Sequence, residues 1–224
     1  MKTIAIILAA GNGNRMNPSA SSGQAQPKAF LKLGEKTILE RSIEVFEGCE
    51  QINEIVVVVP VGYKKDVIGH RQVVGGATRQ ESTQEALKVL PRDTDVVLIH
   101  DAARPFVSEN IIKKGIEVCM KYGAVIPVLP IKNTIKRVKS RIVEETLERN
   151  ELFEVQTPQI FFYDLITEAH TKAKKDGFDG TDDAILVERM GGKVATFEGE
   201  ESNFKITTPK DLFIAKELIN KNKQ

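Results

Sequence analysis

The sequence predicts an α/β fold: a mostly parallel sheet with helices on both faces and a β-hairpin projecting from it. Three observations predict this. Short apolar runs of strand length alternate with longer amphipathic stretches. The runs lack the in-out polarity of half-exposed strands, as expected of strands buried on both faces. One polar stretch, 134–146, breaks the alternation with two strand-like segments too close together to hold a helix between them.

Taken in order, Ile4-Ala5-Ile6-Ile7-Leu8 reads as the first buried strand. Thr37-Ile38-Leu39-Glu40 has capping-box spacing, and apolar Ile38, Ile43, Val45 and Phe46 follow it into a helix. Ile55 to Val59 is a second strand, closed by Pro60. A helix from about Gln80 to Leu90 leads to the strand Val96 to Ile99, and a helix over about Ser108 to Lys121 precedes the strand Ala124 to Val128. Thr134 to Val138 and Ile142 to Thr146 flank Lys139-Ser140-Arg141 and predict the hairpin. It is too polar to be a core pair, and an isolated hairpin is marginal in water, so a second copy of the chain is its expected support. Thr208-Pro209-Lys210-Asp211 marks the start of a last helix, with Thr208 as its N-cap. The stretch 19–26 is of low complexity and is expected to be a mobile loop.

A chain of 224 residues has ample material for a buried core, and the expectation is a single domain over 1–224 with an arm at about 132–149. A net charge near +1 and the lack of a basic stripe interleaved with aromatics argue against a nucleic-acid partner. Cys49 and Cys119 have no CxxC spacing and read as reduced packing residues of a cytoplasmic protein. The apolar run Ile4 to Ala10 is too short to span a bilayer, so no membrane partner is expected.

The strongest chemical signal follows the first strand: Leu8-Ala9-Ala10-Gly11-Asn12-Gly13-Asn14-Arg15-Met16. Glycines and small alanines let backbone N–H groups come close to phosphate oxygens, and Arg15 adds a fixed cation. A dinucleotide fingerprint would need a third glycine where Met16 stands and an acid where the second strand ends at Pro60. A phosphate-binding P-loop would need Gly-Lys-Ser/Thr, which does not follow.

With Pro27-Lys28, the loop resembles the signature of nucleotidyltransferases that build nucleoside-diphosphate sugars and alcohols, which have a Rossmann-like sheet. Gly75-Gly76-Ala77-Thr78-Arg79-Gln80-Glu81-Ser82, His100-Asp101-Ala102-Ala103-Arg104-Pro105, Thr157-Pro158-Gln159 and Asn203-Phe204-Lys205-Ile206-Thr207 follow in order. The set spans most of the chain and resembles the 2-C-methyl-D-erythritol 4-phosphate cytidylyltransferase family. The resemblance implies CTP and a small alcohol phosphate as substrates, Mg²⁺ carried mainly on the CTP phosphates rather than by protein metal ligands, and a homodimer joined through the β-arm. It implies catalytic roles for Arg15 and Lys28 at the α-phosphate. It places the nucleotide on Ala9, Ala10, Gly11, Gly76, Ser82 and Ala102. It places the alcohol phosphate on Asp101, Arg104, Thr157 and Lys205, with Thr134 and Arg149 reaching the opposite subunit's alcohol phosphate.

The residue inventory agrees with that chemistry. A phosphate monoester has a second pKa of about 6 and is already largely ionised at neutral pH, so it needs no general base. What the reaction needs is positive charge aimed at the transition state, and Arg15, Lys28, Arg104, Arg149 and Lys205 offer it. His100 reads as a structural neighbour of Asp101.

Three features depart from the family pattern: a long stretch between Met16 and Pro27, Asn133 where the family commonly has Asp, and a short segment from Val61 to Val73. Two alternatives remain open. A ribitol-5-phosphate cytidylyltransferase shares the scaffold, but Ala9-Ala10 and Ala102-Ala103-Arg104-Pro105 fit the methylerythritol family better. A catalytically silent nucleotide-binding paralogue is opposed by the presence of Arg15, Lys28 and Lys205.

Overall fold

The computed structural model describes residues 1–11, 26–64, 67 and 69–221. Arg15 and the loop Asn17–Gln26, except Gln26 itself, lie outside the described residues. The first apolar run forms β1 (Thr3–Leu8). A small hairpin, β2 (Lys32–Leu33) and β3 (Lys36–Thr37), leads into α1 (Ile38–Glu47). Thr37 caps that helix as predicted: its hydroxyl accepts the Glu40 N–H at 3.1 Å, and the Glu40 carboxylate returns to the Thr37 N–H. Then come β4 (Glu54–Val59), β5 (Arg71–Val74), α2 (Arg79–Leu87) and β6 (Val96–Asp101). The α2 helix stops at Leu87, short of the predicted Leu90.

Ser108 caps α3 (Glu109–Tyr122), accepting the Ile111 N–H at 3.1 Å. Gly123 ends the helix in the left-handed conformation, φ 78°, with its N–H on the Cys119 carbonyl at 2.7 Å. β7 (Ala124–Pro130) follows. The predicted hairpin forms as β8 (Lys136–Lys139) and β9 (Ile142–Thr146), every residue of both strands exposed. Its turn uses Ser140 and Arg141, both with positive φ. β10 (Phe153–Val155), β11 (Gln159–Phe162), α4 (Tyr163–Lys175), α5 (Ala184–Arg189), β12 (Ala195–Glu198) and α6 (Pro209–Lys221) complete the chain. Thr208 accepts the Asp211 N–H at the start of α6, as its position before Pro209 predicts.

The sheet order is β12-β7-β11-β6-β1-β4-β5, with β10 pairing the far end of β7 on the same edge as β11. β1 pairs in parallel with both β4 and β6, and β4 with β5. β11 and β10 run antiparallel to the rest. Ala5 and Ile7 of β1 face α1 and α3 in one cluster with Val57, Val59 and Leu98. Ile4 and Ile6 face α2, α4 and α5 in another with Val56, Val58 and Ile99. Two buried faces explain why these strands carry unbroken apolar runs. A third, smaller cluster seats α6 on the β2–β3 hairpin through Leu33, Ile38, Ile206 and Ala215. Cys49 and Cys119 are buried free thiols, with burial pushing the Cys119 thiol up to about 12.

The chain leaves β1 over one face through α1 and enters β6 from the other face through α2. A crevice therefore opens at the carboxyl ends of these parallel strands, the usual ligand position of an open α/β sheet.

Candidate active site

Three strand ends build a ledge in that crevice. Leu8 pairs with Asp101 in register, the Ala102 N–H donates to the Leu8 carbonyl at 3.1 Å, and the Ala9 N–H to the Val58 carbonyl at 2.8 Å. Gly75, held by its N–H on the Val59 carbonyl, lies so close to β1 that a Cβ there would sit 2.4 Å from the Ala10 Cβ and 2.7 Å from the Ser82 hydroxyl. That close approach packs Ala10, Gly75 and Ser82 together, with Gly11 and Gly76 exposed next to them in the chain and Ala9 buried in the core beneath. Ala102 is fully buried behind it, its carbonyl accepting from Ser42 at 2.9 Å.

Beside the ledge lies a charged cluster. Asp101, last residue of β6, is buried and takes two cations, Arg79 Nε at 3.1 Å on Oδ1 and Lys205 Nζ at 2.5 Å on Oδ2. Burial opposes its ionisation, but Arg79 and Lys205, with Arg104 further off, hold the carboxyl well below the usual range. Arg79 also donates to Asp183 at 2.6 Å, and Asp183 accepts from His170 at 3.0 Å.

A ring of hydrogen bonds frames Asp101. His100 Nε2 donates to the Arg104 carbonyl at 3.2 Å, since a carbonyl can only accept. Nδ1 must then accept the Thr157 hydroxyl proton at 3.1 Å, and Thr157 Oγ1 in turn accepts the Asp101 N–H at 3.1 Å. Asn203 donates to the Thr157 carbonyl at 2.9 Å, and Arg104 donates to the Asn203 carbonyl at 2.8 Å. Burial keeps His100 neutral, its pKa lowered to about 4. His100 is thus the structural residue that its position beside Asp101 suggested.

The structure brings Asp101, Arg104, Thr157 and Lys205 together from segments far apart in the chain. Lys28 stands in a short turn, and its charge acts on Asp211 at the start of α6; burial of Asp211 is outweighed there mainly by the Thr207 and Thr208 N–H groups. Thr134 and Arg149 are exposed on the arm, and Arg149 donates to the Lys132 carbonyl at 3.1 Å. Within one chain, neither is hydrogen-bonded to Asp101, Arg104, Thr157 or Lys205 among the described residues. The sequence reading missed Arg79, Asp183 and His170 as members of the site. The arginine was visible inside the quoted Gly-Gly-x-x-Arg-x-x-Ser segment, but the burial of Asp183 has no local signal.

A family model for 2-C-methyl-D-erythritol 4-phosphate cytidylyltransferase matches residues 3–221. The chain belongs to the 2-C-methyl-D-erythritol 4-phosphate cytidylyltransferase family. It is 44% identical over 225 residues to the enzyme of that name from Geobacillus thermodenitrificans, covering 96% of each chain. It is 42% identical to that from Clostridioides difficile, over 98% of this chain and 94% of the relative. Among solved structures, a 4-diphosphocytidyl-2C-methyl-D-erythritol synthase from Anaerococcus prevotii superposes with a TM-score of 0.84 at 33% identity, covering 98% of both chains. The cytidylyltransferase from Thermus thermophilus gives 0.81 at 35% identity over 96% of this chain and 98% of the other. The mostly parallel sheet with helices on both faces is the fold of this cytidylyltransferase family.

Proposed function

We propose that this chain, as a single cytoplasmic domain, transfers a cytidylyl group from CTP to 2-C-methyl-D-erythritol 4-phosphate. A phosphate oxygen of the alcohol attacks the α-phosphorus of CTP, the bond from that phosphorus to the bridging oxygen breaks, and pyrophosphate leaves. The observation that carries this is the ionised Asp101–Lys205 pair beside a ledge of small residues in the sheet crevice. The ledge suits close backbone contact with the nucleotide through Ala10, Gly11 and Gly76, with Ala9, Ser82 and Ala102 packed behind them. Lys205 supplies a cation for the attacking phosphate, and Asp101 accepts hydroxyl hydrogen bonds between the two substrates, with Arg104 and Thr157 completing the pocket. Arg15 and Lys28 stabilise the five-coordinate α-phosphate and the leaving pyrophosphate.

The described residues contain no group of three or more His, Cys, Asp or Glu that could hold a metal ion. Mg²⁺ would arrive with the nucleotide, since it commonly sits on substrate phosphates with few protein ligands, where it would screen their charge. Among the described residues no helix is long and apolar enough to cross a membrane.

We infer further that two chains pair through the arm. Val138, Ile142 and Val143 on it, and Phe153 at its root, expose apolar side chains, which a partner surface would cover. In that arrangement Arg149 and Thr134 reach the alcohol phosphate held by the opposite chain.

The direct test is pyrophosphate release from CTP and Mg²⁺ against a panel of alcohol phosphates. Turnover with methylerythritol phosphate and little with ribitol 5-phosphate is the expected result. Equal or better turnover of the ribitol substrate overturns the assignment, and CTP binding without any turnover would leave a silent nucleotide-binding protein.

A further inference from the structure

A guanidinium fork beside one carboxylate ordinarily engages both its oxygens through two parallel N–H bonds. Arg79 does not do this. Its Nε meets Asp101 Oδ1 at 3.1 Å, but Nη2, which shares that side of the fork, is buried without a hydrogen-bond partner, and Nη1 on the far side is held by Asp183 Oδ2 at 2.6 Å, which fixes how the guanidinium is turned. Asp101 Oδ2 is thereby left to Lys205. Asp183 is itself fixed. Its backbone N–H and that of Ala184 both donate to Gln159 Oε1, at 3.0 and 3.2 Å, and its second oxygen accepts from His170 Nε2. Asp183 and His170 are each 1% exposed, beyond reach of a substrate.

We propose that Asp183, oriented by His170, is a positioning residue: by sharing Arg79 it keeps that arginine off the second oxygen of Asp101 and so reserves Oδ2 for the alcohol substrate and its lysine. The inference rests on the reading of Asp101 as the alcohol-side carboxylate. Charge supports it as well. Asp183 shares the charge of Arg79, and removing the Asp183 charge would leave both Arg79 and Lys205 to compete for Asp101.

Asp183→Asn keeps the shape and an acceptor oxygen but loses the charge that holds Nη1. Arg79 is then free to close on both oxygens of Asp101. The expected result is a KM for the alcohol phosphate raised about tenfold, with the KM for CTP within about twofold. In an Arg79→Gln background the same substitution should add nothing, because its effect runs through the arginine. His170→Gln, which can still donate to Asp183, should retain more of the alcohol KM than His170→Leu. Equal shifts of both KM values, additive effects in the double variant, or an Asp183→Asn chain that fails to fold would each make Asp183 a purely structural residue and overturn the proposal. If the wild-type chain shows no turnover of methylerythritol phosphate, the functional assignment falls instead, so the two failures are distinguishable.

Discussion

Lys205 Nζ lies 2.5 Å from Asp101 Oδ2, a pair that ties the end of β6 to a segment 104 residues further along. Both charges serve each other before any substrate arrives. In the proposed reaction an incoming phosphate dianion would draw the ammonium group toward itself, and the carboxylate oxygen it leaves could then accept a hydroxyl of the same substrate. The two halves of one ion pair would thus be exchanged for the two ends of one molecule.

The pair is unequal in stability. Asp101 is buried and neutralises two cations, whereas Lys205 is about a third exposed. Asp101→Ala should therefore lower unfolding free energy by about 3 kcal/mol, as expected when one partner of a buried pair is removed. Lys205→Ala should lower it by under about 1 kcal/mol. Urea denaturation of the two variants checks the order, and an equal loss would contradict the proposed asymmetry.

Acid should weaken the fold through His100. Its pKa falls from the ordinary 6.5 to about 4 on burial, so the unfolded chain binds the proton more readily. Stability from this group is complete above pH 6.5 and is lost as pH falls from 6.5 to 4. Linkage puts the loss near 3 kcal/mol. Asp101 works in the same direction at lower pH, below the ordinary carboxylate range. Urea midpoints measured at pH 7.5, 5.5 and 4.5 should fall for the wild type and fall less for His100→Gln. Parallel slopes would remove His100 as the cause.

Arg15→Ala and Lys28→Ala should each reduce kcat by about 10²-fold or more, since one preorganised donor is worth roughly 3 kcal/mol at such a transition state. Far-ultraviolet circular dichroism should be unchanged. Near-normal turnover in either variant would dismiss its assigned role.

Gly75→Ala tests the ledge. Its methyl would need space already taken by Ala10 and Ser82. Overpacking of this kind typically destabilises by about 1–3 kcal/mol. A raised KM for CTP should accompany the lower melting temperature. Wild-type CTP affinity would show that the close approach of β1 and Gly75 does not shape the nucleotide site.

Mixed dimers test the crossed arm. Arg149→Ala and Lys205→Ala homodimers should both be weak. In a dimer carrying one of each, one site would hold both defects and the other neither, so activity should recover to about half of the wild type. No recovery, once subunit exchange is demonstrated, would assign both residues to their own chain's site.

The strands buried on both faces announced themselves as apolar runs, and Thr37, Ser108 and Thr208 marked helix starts through their side-chain caps. These are local signals with local causes. β11 gave none, because its place between β6 and β7 depends on partners such as Ile99 and Val125 and on Gln159, a polar residue buried by its bonds to Asp182, Asp183 and Ala184. The site divides in the same way. Asp101 and Lys205 stood in recognisable motifs, but their mutual contact, and the sharing of Arg79 with Asp183, arise only when β6, α2, α5 and the segment before α6 converge.

The arm begins and ends at a single place on the sheet. The Ile131 N–H donates to the Leu152 carbonyl, and Phe153 pairs with Pro130, so the chain returns beside the point where it left. Residues 132–151 are therefore a topological detour: shortening, lengthening or exchanging them alters no connection among the strands that form the crevice. Remodelling this excursion would change which surfaces meet, and with them whether Thr134 and Arg149 reach a partner's phosphate, while the strands of the crevice stay in place.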